Sequence, residues 1–379
     1  MPVRIDLSQS DDPRDAVHRA VQSLVEGKVV GLPTDTVYGL AASALSESAV
    51  DAIYEIKGRQ ADVPLAVSVA SMEAAMDFVS EMSPLASRLA SRCWPGPLTL
   101  VLPCGSEFSA VRQLPESVQK RILGPGDCVG FRVIGSRVME HIHHLVSAPL
   151  VLTSANRSGD PSPQDAQAAL DSLGDVPSDK MPLLLDDGPT KLGAASTVVR
   201  VADKGMEILR TGAIEAATMN QFAKPIIAVV CTGNTCRSPM AETLLREQVQ
   251  KRFGREDAIG VVSAGLAAAV GMGASPQAVQ VMGKRNLDLT GHASRPLDDE
   301  VVRRADLILT MTRNHRRAIL AAWPNLADRV HTLRRDGGDI SDPIGAAVEV
   351  YEQCAAQMET EIALWLDEYG DRWNLENHA

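Results

Sequence analysis

The run Ile226-Ile-Ala-Val-Val230, then Cys231-Thr-Gly-Asn-Thr-Cys-Arg-Ser-Pro239, then Met240-Ala-Glu-Thr-Leu-Leu-Arg246 decides how this chain is read. The first segment is apolar and predicts a strand, and the last predicts a helix. Backbone N–H groups in a loop of this kind, and at the helix N-terminus, point inward and favour an anion. Cys231 and Arg237 bracket five residues, Thr232, Gly233, Asn234, Thr235 and Cys236. The helix end and Arg237 favour the thiolate of Cys231, which is a nucleophile. A guanidinium grips two equatorial phosphoryl oxygens in a planar fork. Ser238 can donate to the thiolate, and Asn234 tolerates a left-handed backbone. A cysteine at a strand end is by itself most often a small buried hydrophobe. The arginine and serine behind it reverse that reading, so residues 232–236 are expected to form a phosphate loop around Cys231.

This loop lies past the midpoint of 379 residues, a length that suits about two domains. Hydrophobic content of 45% and charged content of 22% fit a globular protein. The net charge of −11 argues against a broad nucleic-acid surface. No apolar run of about 18 residues and no charged-then-apolar leader is found, so neither a membrane span nor a signal peptide is expected. Six cysteines, none at zinc-site spacing, suggest a reducing, cytoplasmic setting.

Upstream, apolar pairs at Ala16/Val17, Ala20/Val21 and Leu24/Val25 predict an amphipathic helix ended by Gly27. Strands are expected at 29–33, 65–69, 98–102, 150–152 and 196–201, and a helix at 49–56, which makes the class α/β. The polar and Gly/Pro-bearing loops at 158–165 and 186–193 are followed by further strand signals, so neither reads as a domain boundary. The expected organisation is a domain at 1–215, a linker at 216–224 and a domain at 225–379, with a frayed tail from Asn374.

A thiolate displacement needs an acid for the leaving group. Asp339-Ile-Ser-Asp342-Pro-Ile-Gly345 supplies two carboxylates, although Asp-Pro is also ordinary turn chemistry. The segment Cys231–Pro239, Ser263-Ala-Gly265, the loop His292–Leu297, Asp306–His315 and Asp342-Pro343 together resemble the low-molecular-weight protein tyrosine phosphatase family, in that family's order. The resemblance implies a flavodoxin-like α/β/α fold, Cys231 as nucleophile, Arg237 as transition-state clamp and Asp342, directly before the proline, as general acid. Tyrosine-directed members have an aromatic pair after Asp-Pro, whereas this chain has Ile344 and Gly345. Thr235 stands where those members have a larger aliphatic residue, which resembles the protein arginine phosphatase branch. The favoured substrate is therefore protein phosphoarginine, with phosphotyrosine and arsenate reduction as alternatives. Arsenate reductases need further downstream cysteines, and only Cys354 follows. Cys236 reads either as a reversible partner for Cys231 or as a packed thiol.

In the first half, Pro33–Leu40, Lys57-x-Arg59, Trp94–Thr99, Val129–Arg132, Ser154-Ala-Asn156, Ser196–Val198 and Leu209–Gly212 stand in order. Two cations at a helix end are commonly solvated dipole partners, but Lys57 and Arg59 can equally hold a triphosphate. These motifs resemble the YrdC-like threonylcarbamoyl-AMP synthases, with one departure at Ile134, where that family has proline. The resemblance implies a twisted α/β domain converting L-threonine, bicarbonate and ATP to threonylcarbamoyl-AMP. That product feeds tRNA threonylcarbamoyladenosine formation through the threonylcarbamoyl transferase complex. Lys57 and Arg59 are expected on the phosphates, and Ser154 and Asn156 on nucleotide and intermediate. Thr34, Arg132 and Ser196 are expected on threonine and carbamate, and Arg210 on phosphate or ribose. Mg²⁺ is expected with ATP without an all-protein cage. His141, His143 and His144, beside Val138 and Leu145, are read as helix residues and not as a metal site. An RNA-binding regulator in the first half, or a scaffold in the second, is the competing reading.

Overall fold

The structure is a computed structural model that describes residues 1–79, 81–202 and 205–375. The chain divides into Met1–Gln221 and Phe222–Ala379. Of the expected tail, residues 376–379 lie outside the described residues. The stretch expected to link the domains carries a helix, Ala216–Ala223, with Met219 buried.

The first unit is built on β1 (Val3–Asp6), β2 (Val30–Leu32), β3 (Gly39–Ser43), β4 (Ala66–Ser68) and β5 (Leu98–Pro103). It continues with β6 (Cys128–Arg132), β7 (Leu150–Ser154), β8 (Leu183–Asp186), β9 (Thr197–Ala202) and β10 (Gly205–Arg210). They form one sheet in the order β1-β8-β2-β3-β7-β4-β6-β5-β9-β10. The sheet is mixed: β2–β3, β3–β7, β4–β7, β5–β6 and β9–β10 are antiparallel, and β1–β8, β2–β8, β4–β6 and β5–β9 are parallel. Helix Pro13–Val25 starts where Asp12 accepts from Arg14 N and where Pro13 fits the first turn. Its face Ala16, Ala20 and Leu24 packs with Leu32, Ile142 and Leu185, each buried leucine contributing about 1.5–3 kcal/mol. Helix Glu47–Lys57 begins under a Ser46 cap and ends at Gly58, whose φ of 59° is the left-handed conformation glycine accepts freely. Lys57 and Arg59, on either side of that turn, reach the end of β7 and the segment just before β4.

The second unit holds β11 (Ile226–Cys231), β12 (Gly260–Gly265), β13 (Leu307–Thr310) and β14 (Val330–Thr332), all parallel, in the order β12-β11-β13-β14. Strand side chains alternate, so Ile227 and Val229 pack under helices Arg237–Phe253 and Val348–Arg372. Ala228 and Val230 pack with Val301, Val302 and Ile319 on the opposite face. Burial on both faces is why Ile226–Val230 reads as a continuous apolar run. The crossovers from β11 lead to β12 on one side and later to β13 on the other. This makes a switch point, and Cys231 is the last residue of the central strand there.

Candidate active sites

The first unit contains a cavity of ≈ 400 Å³. Of the eight positions singled out in the sequence, Thr34, Arg59, Arg132, Ser154, Ser196 and Arg210 line it, while Lys57 and Asn156 do not. Lys57 is buried, and its ammonium donates to Ser154 O at 2.5 Å and Asn156 O at 2.6 Å. Asn156 in turn donates to Arg157 O and Asp160 O, both at 2.8 Å. The two residues thus brace the loop that presents Ser154. Arg59 donates to Pro64 O at 2.8 Å and Val63 O at 3.1 Å. Arg210 donates to Ser196 O at 2.8 Å, and the Ser196 hydroxyl lies 3.0 Å from that of Thr99. Thr34 closes its own turn: its hydroxyl donates to Val37 O at 2.6 Å and accepts from Thr36 N and Val37 N.

Among the described residues no carboxylate lines the cavity, although Asp160 acts on Lys57 from outside it. Burial pulls Lys57 down to about 8, and Arg59 adds to that fall. Burial also lowers Arg59, and burial together with Arg59 lowers Arg210. Arg132 differs, because it forms an ion pair with Asp35 at 2.5 Å with side chains only 6% and 8% exposed. It also donates to Gly96 O and to the Thr36 hydroxyl. Asp35 Oδ2 is buried with no hydrogen-bond partner. Asp35, Thr36 and Thr99 were not singled out from sequence. The only signal for the first two was their place inside Pro33–Leu40, which reads as a polar turn and is in fact fully buried.

In the second unit, Cys231 Sγ lies 3.0 Å from Ser238 Oγ and accepts from Asn234 N at 3.2 Å. Asn234 is left-handed, with φ 54°. Its amide donates to Ser238 Oγ and Ser263 Oγ, both at 2.9 Å, and accepts from Arg295 N at 2.9 Å. His292 Nε2 meets Asn234 O at 2.7 Å. Gly265 at the end of β12 must lack a side chain, because a Cβ there would lie 2.5 Å from Thr232 O and 2.9 Å from Asn234 N. Arg237 donates to Ile340 O at 3.1 Å and forms an ion pair with Asp342. Asp339 is committed elsewhere: it accepts from Arg313 N at 2.8 Å. Ile344 is 70% exposed beside Asp342, and Gly345 has φ 76°.

Cys236 is buried with its sulfur 3.5 Å from the Tyr351 hydroxyl. Thr235 Oγ1 lies 3.8 Å from the same sulfur. Burial pushes the Cys354 thiol up to about 12. Tyr351 was not singled out from sequence, and His315 was named only as the end of the segment Asp306–His315, with no role. His315 Nε2 meets the Thr232 hydroxyl at 2.9 Å, and burial, then Arg237, lowers its pKa. Among the described residues, no helix is long and apolar enough to cross a membrane.

Residues 22–212 match the Sua5–YciO–YrdC profile, described as telomere recombination, and residues 226–373 match the low molecular weight phosphotyrosine protein phosphatase profile. The chain is 40% identical to the threonylcarbamoyl-AMP synthase of Pyrococcus abyssi over 190 residues, 50% of this chain and 52% of that one. It is 34% identical to the threonylcarbamoyl-AMP synthase of Bacillus subtilis over 221 residues, 58% of this chain and 60% of that one. The chain therefore spans between half and three-fifths of the length of these two relatives. It is 38% identical to the protein-arginine-phosphatase of Bacillus subtilis over 137 residues, 35% of this chain and 89% of that one. A solved structure of a doubly substituted Pyrococcus abyssi Sua5 matches with a TM-score of 0.51 at 25% identity, covering 80% of this chain and 95% of that one. The chain belongs to the Sua5–YciO–YrdC family and, from Ile226 onward, to the low molecular weight phosphotyrosine protein phosphatase family.

Proposed function

We propose that the chain is a bifunctional enzyme with a threonylcarbamoyl-AMP synthase at 1–215, a linker at 216–224 and a cysteine-dependent protein arginine phosphatase at 225–379. The observation that carries the first activity is the surplus of buried cations around the cavity. Burial lowers the pKa of Lys57, Arg59 and Arg210, Arg59 lowers the other two further, and among the described residues no carboxylate lines the cavity. A triphosphate relieves that repulsion. L-threonine and bicarbonate form a carbamate with loss of water, its oxygen attacks the α-phosphorus of ATP, and the bond to pyrophosphate breaks. Arg59, Lys57 and Arg210 take phosphate charge. Lys57 does so by exchanging its two carbonyl partners for the incoming anion, with Asn156 still holding the loop. Arg132, Thr34, Ser154 and Ser196 orient threonine, carbamate and nucleotide, and catalysis is mainly positioning. Mg²⁺ is expected only as the ion carried in with ATP. Among the described residues no cluster of three carboxylate, histidine or cysteine side chains forms a cage for it, and no step is assigned to it.

The second activity rests on Cys231 seated between Asn234 N and Ser238 Oγ, with Arg237 and Asp342 paired across the cradle. As substrate takes its place on Arg237, Asp342 picks up a proton from water; the thiolate then attacks phosphorus while the bond to the substrate guanidine nitrogen breaks, and Asp342 protonates that nitrogen. Asp342 then takes a proton from the water that hydrolyses the cysteinyl phosphate. The backbone amides of Thr232, Gly233, Asn234, Thr235 and Cys236 cradle the oxygens. The exposed aliphatic Ile344, in place of a stacking aromatic, favours phosphoarginine over phosphotyrosine. Arsenate reduction is disfavoured because Cys354, buried and pushed up to about 12, is a poor thiolate for a disulfide relay. The natural setting of the reactions is the cytoplasm, with tRNA reached through the threonylcarbamoyl transferase complex.

The test measures threonine-dependent pyrophosphate release and hydrolysis of phosphoarginine and phosphotyrosine peptides by the intact chain. Cys231→Ser should lower hydrolysis by roughly 10⁴-fold or more and leave pyrophosphate release unchanged. RNA binding without pyrophosphate release would overturn the first assignment. Preference for phosphotyrosine would overturn the substrate of the second.

A further inference from the structure

In a chain of net charge −11, one groove of the second unit is walled by cations. Its volume is ≈ 350 Å³, and it is lined by Arg313, Arg316, Arg334 and Arg335, with His331 and Trp365 among the other residues and, among the described residues, no carboxylate. Asp339, Asp336 and Glu368 pair with Arg313, Arg334 and Arg335 from outside the lining. Each guanidinium has five donors, so such a pair leaves donors over for a ligand. Arg316 donates Nε to Val330 O at 2.8 Å and has no carboxylate partner among the described residues. Arg335 lies 4.3 Å over the Trp365 ring, which fixes its plane. Planar, preorganised guanidinium groups of this kind suit carboxylates and phosphates.

The groove adjoins the phosphate loop through one helix. Arg313 and Arg316 belong to the first turn of helix Arg313–Ala322, and His315 between them contacts Thr232. Arg313 and Arg316 thus stand two residues before and one residue after the histidine that meets the loop. We propose that this groove is a second anion site that holds an acidic side chain of the substrate polypeptide. The inference rests on the protein phosphatase reading above. An extended chain advances ~3.3 Å per residue, so the acidic residue should stand roughly two to five positions from the modified one.

The experiment uses the intact protein and phosphoarginine peptides carrying Asp-Glu runs or alanines at those positions. Acidic peptides should have a KM roughly three- to tenfold lower at low salt, and the gain should vanish at high salt. Arg316→Gln with Arg335→Gln should remove the gain while turnover of p-nitrophenyl phosphate stays as in the parent. Arg316→Gln alone, which keeps the Arg335–Trp365 stack, should remove part of it. Equal KM values for acidic and neutral peptides, or a gain that survives both variants, would overturn the inference. So would competition by a short single-stranded RNA that exceeds competition by an unphosphorylated acidic peptide, which assigns the groove to nucleic acid. If the parent fails to hydrolyse p-nitrophenyl phosphate, the phosphatase reading fails. Titration of Cys231→Ser with the unphosphorylated acidic peptide then still decides the groove.

Discussion

Each unit places an arginine–aspartate pair in its candidate site, and the two pairs are built differently. Arg132 and Asp35 are 6% and 8% exposed, whereas Arg237 and Asp342 are 5% and 43% exposed. The first pair is sealed into the floor of a cavity, and its arginine also holds Gly96 O and Thr36. It is part of the scaffold, and separating it strands a charge away from water. The second joins a buried clamp to a carboxylate on an exposed loop, and water can receive that carboxylate when it leaves. A sealed pair gives fixed geometry, whereas a half-open one gives a group that can change partners during a reaction. The contrast matches the two proposed chemistries, because a synthase would need reactants positioned and a phosphatase would need a proton moved.

The contrast can be broken most directly at Asp342. Asp342→Asn should reduce phosphatase turnover by roughly 10²–10⁴ while changing stability by no more than about 1 kcal/mol. Turnover kinetics and a denaturant melt of the same sample check both halves, and a large stability loss would make this pair structural as well. Arg132→Ala should do the reverse to the first unit, costing about 3–5 kcal/mol because Asp35 is left buried and unpaired. Denaturant unfolding measures it, and a cost near zero would mean that the floor is wetter than its burial implies. The smallest effect sharpens the picture of the cavity wall. His143 Nε2 lies 2.8 Å from Ser68 Oγ, and burial lowers its pKa to about 4. The unfolded imidazole titrates near 6.5, so the unfolded chain binds the extra proton between those values. The first unit should therefore hold full stability above about pH 6.5 and lose up to about 2–3 kcal/mol as pH falls toward 4. Melting temperature against pH, parent beside His143→Gln, reads this, and parallel curves would remove His143 as the cause.

The second unit was largely legible in the sequence because its strands are buried on both faces and its chemistry is local. Ile226–Val230, the loop and the helix were visible as one string, and the resemblance supplied Asp342. The first unit hid more. β3 is Gly39-Leu-Ala-Ala-Ser43 and β8 is Leu183-Leu-Leu-Asp186; neither has a β-branched residue, and four or five residues show little period. Thr34, Arg59, Arg132, Ser154, Ser196 and Arg210 were read as site residues and line one cavity. Lys57 was expected to face a ligand and instead holds two carbonyls, a contact that depends on where the chain after β7 folds. The Asp35–Arg132 pair joins residues 97 apart. No local pattern announces such a pair, and Asp35 looks like ordinary turn chemistry until the strands that bury it are assembled.

The Arg237–Asp342 contact also makes the cradle its own competitor. The clamp has a counter-ion tethered three residues from Asp339, so any anion entering must displace a carboxylate that cannot diffuse away. A singly charged ion such as chloride only swaps one negative charge for another and gains little. A phosphoryl dianion brings a second charge and more oxygens for the loop amides, and in the proposed reaction the displaced carboxylate takes up a proton before it serves as the acid. On the proposed phosphatase reading, the pair should therefore favour a dianion over a singly charged ion.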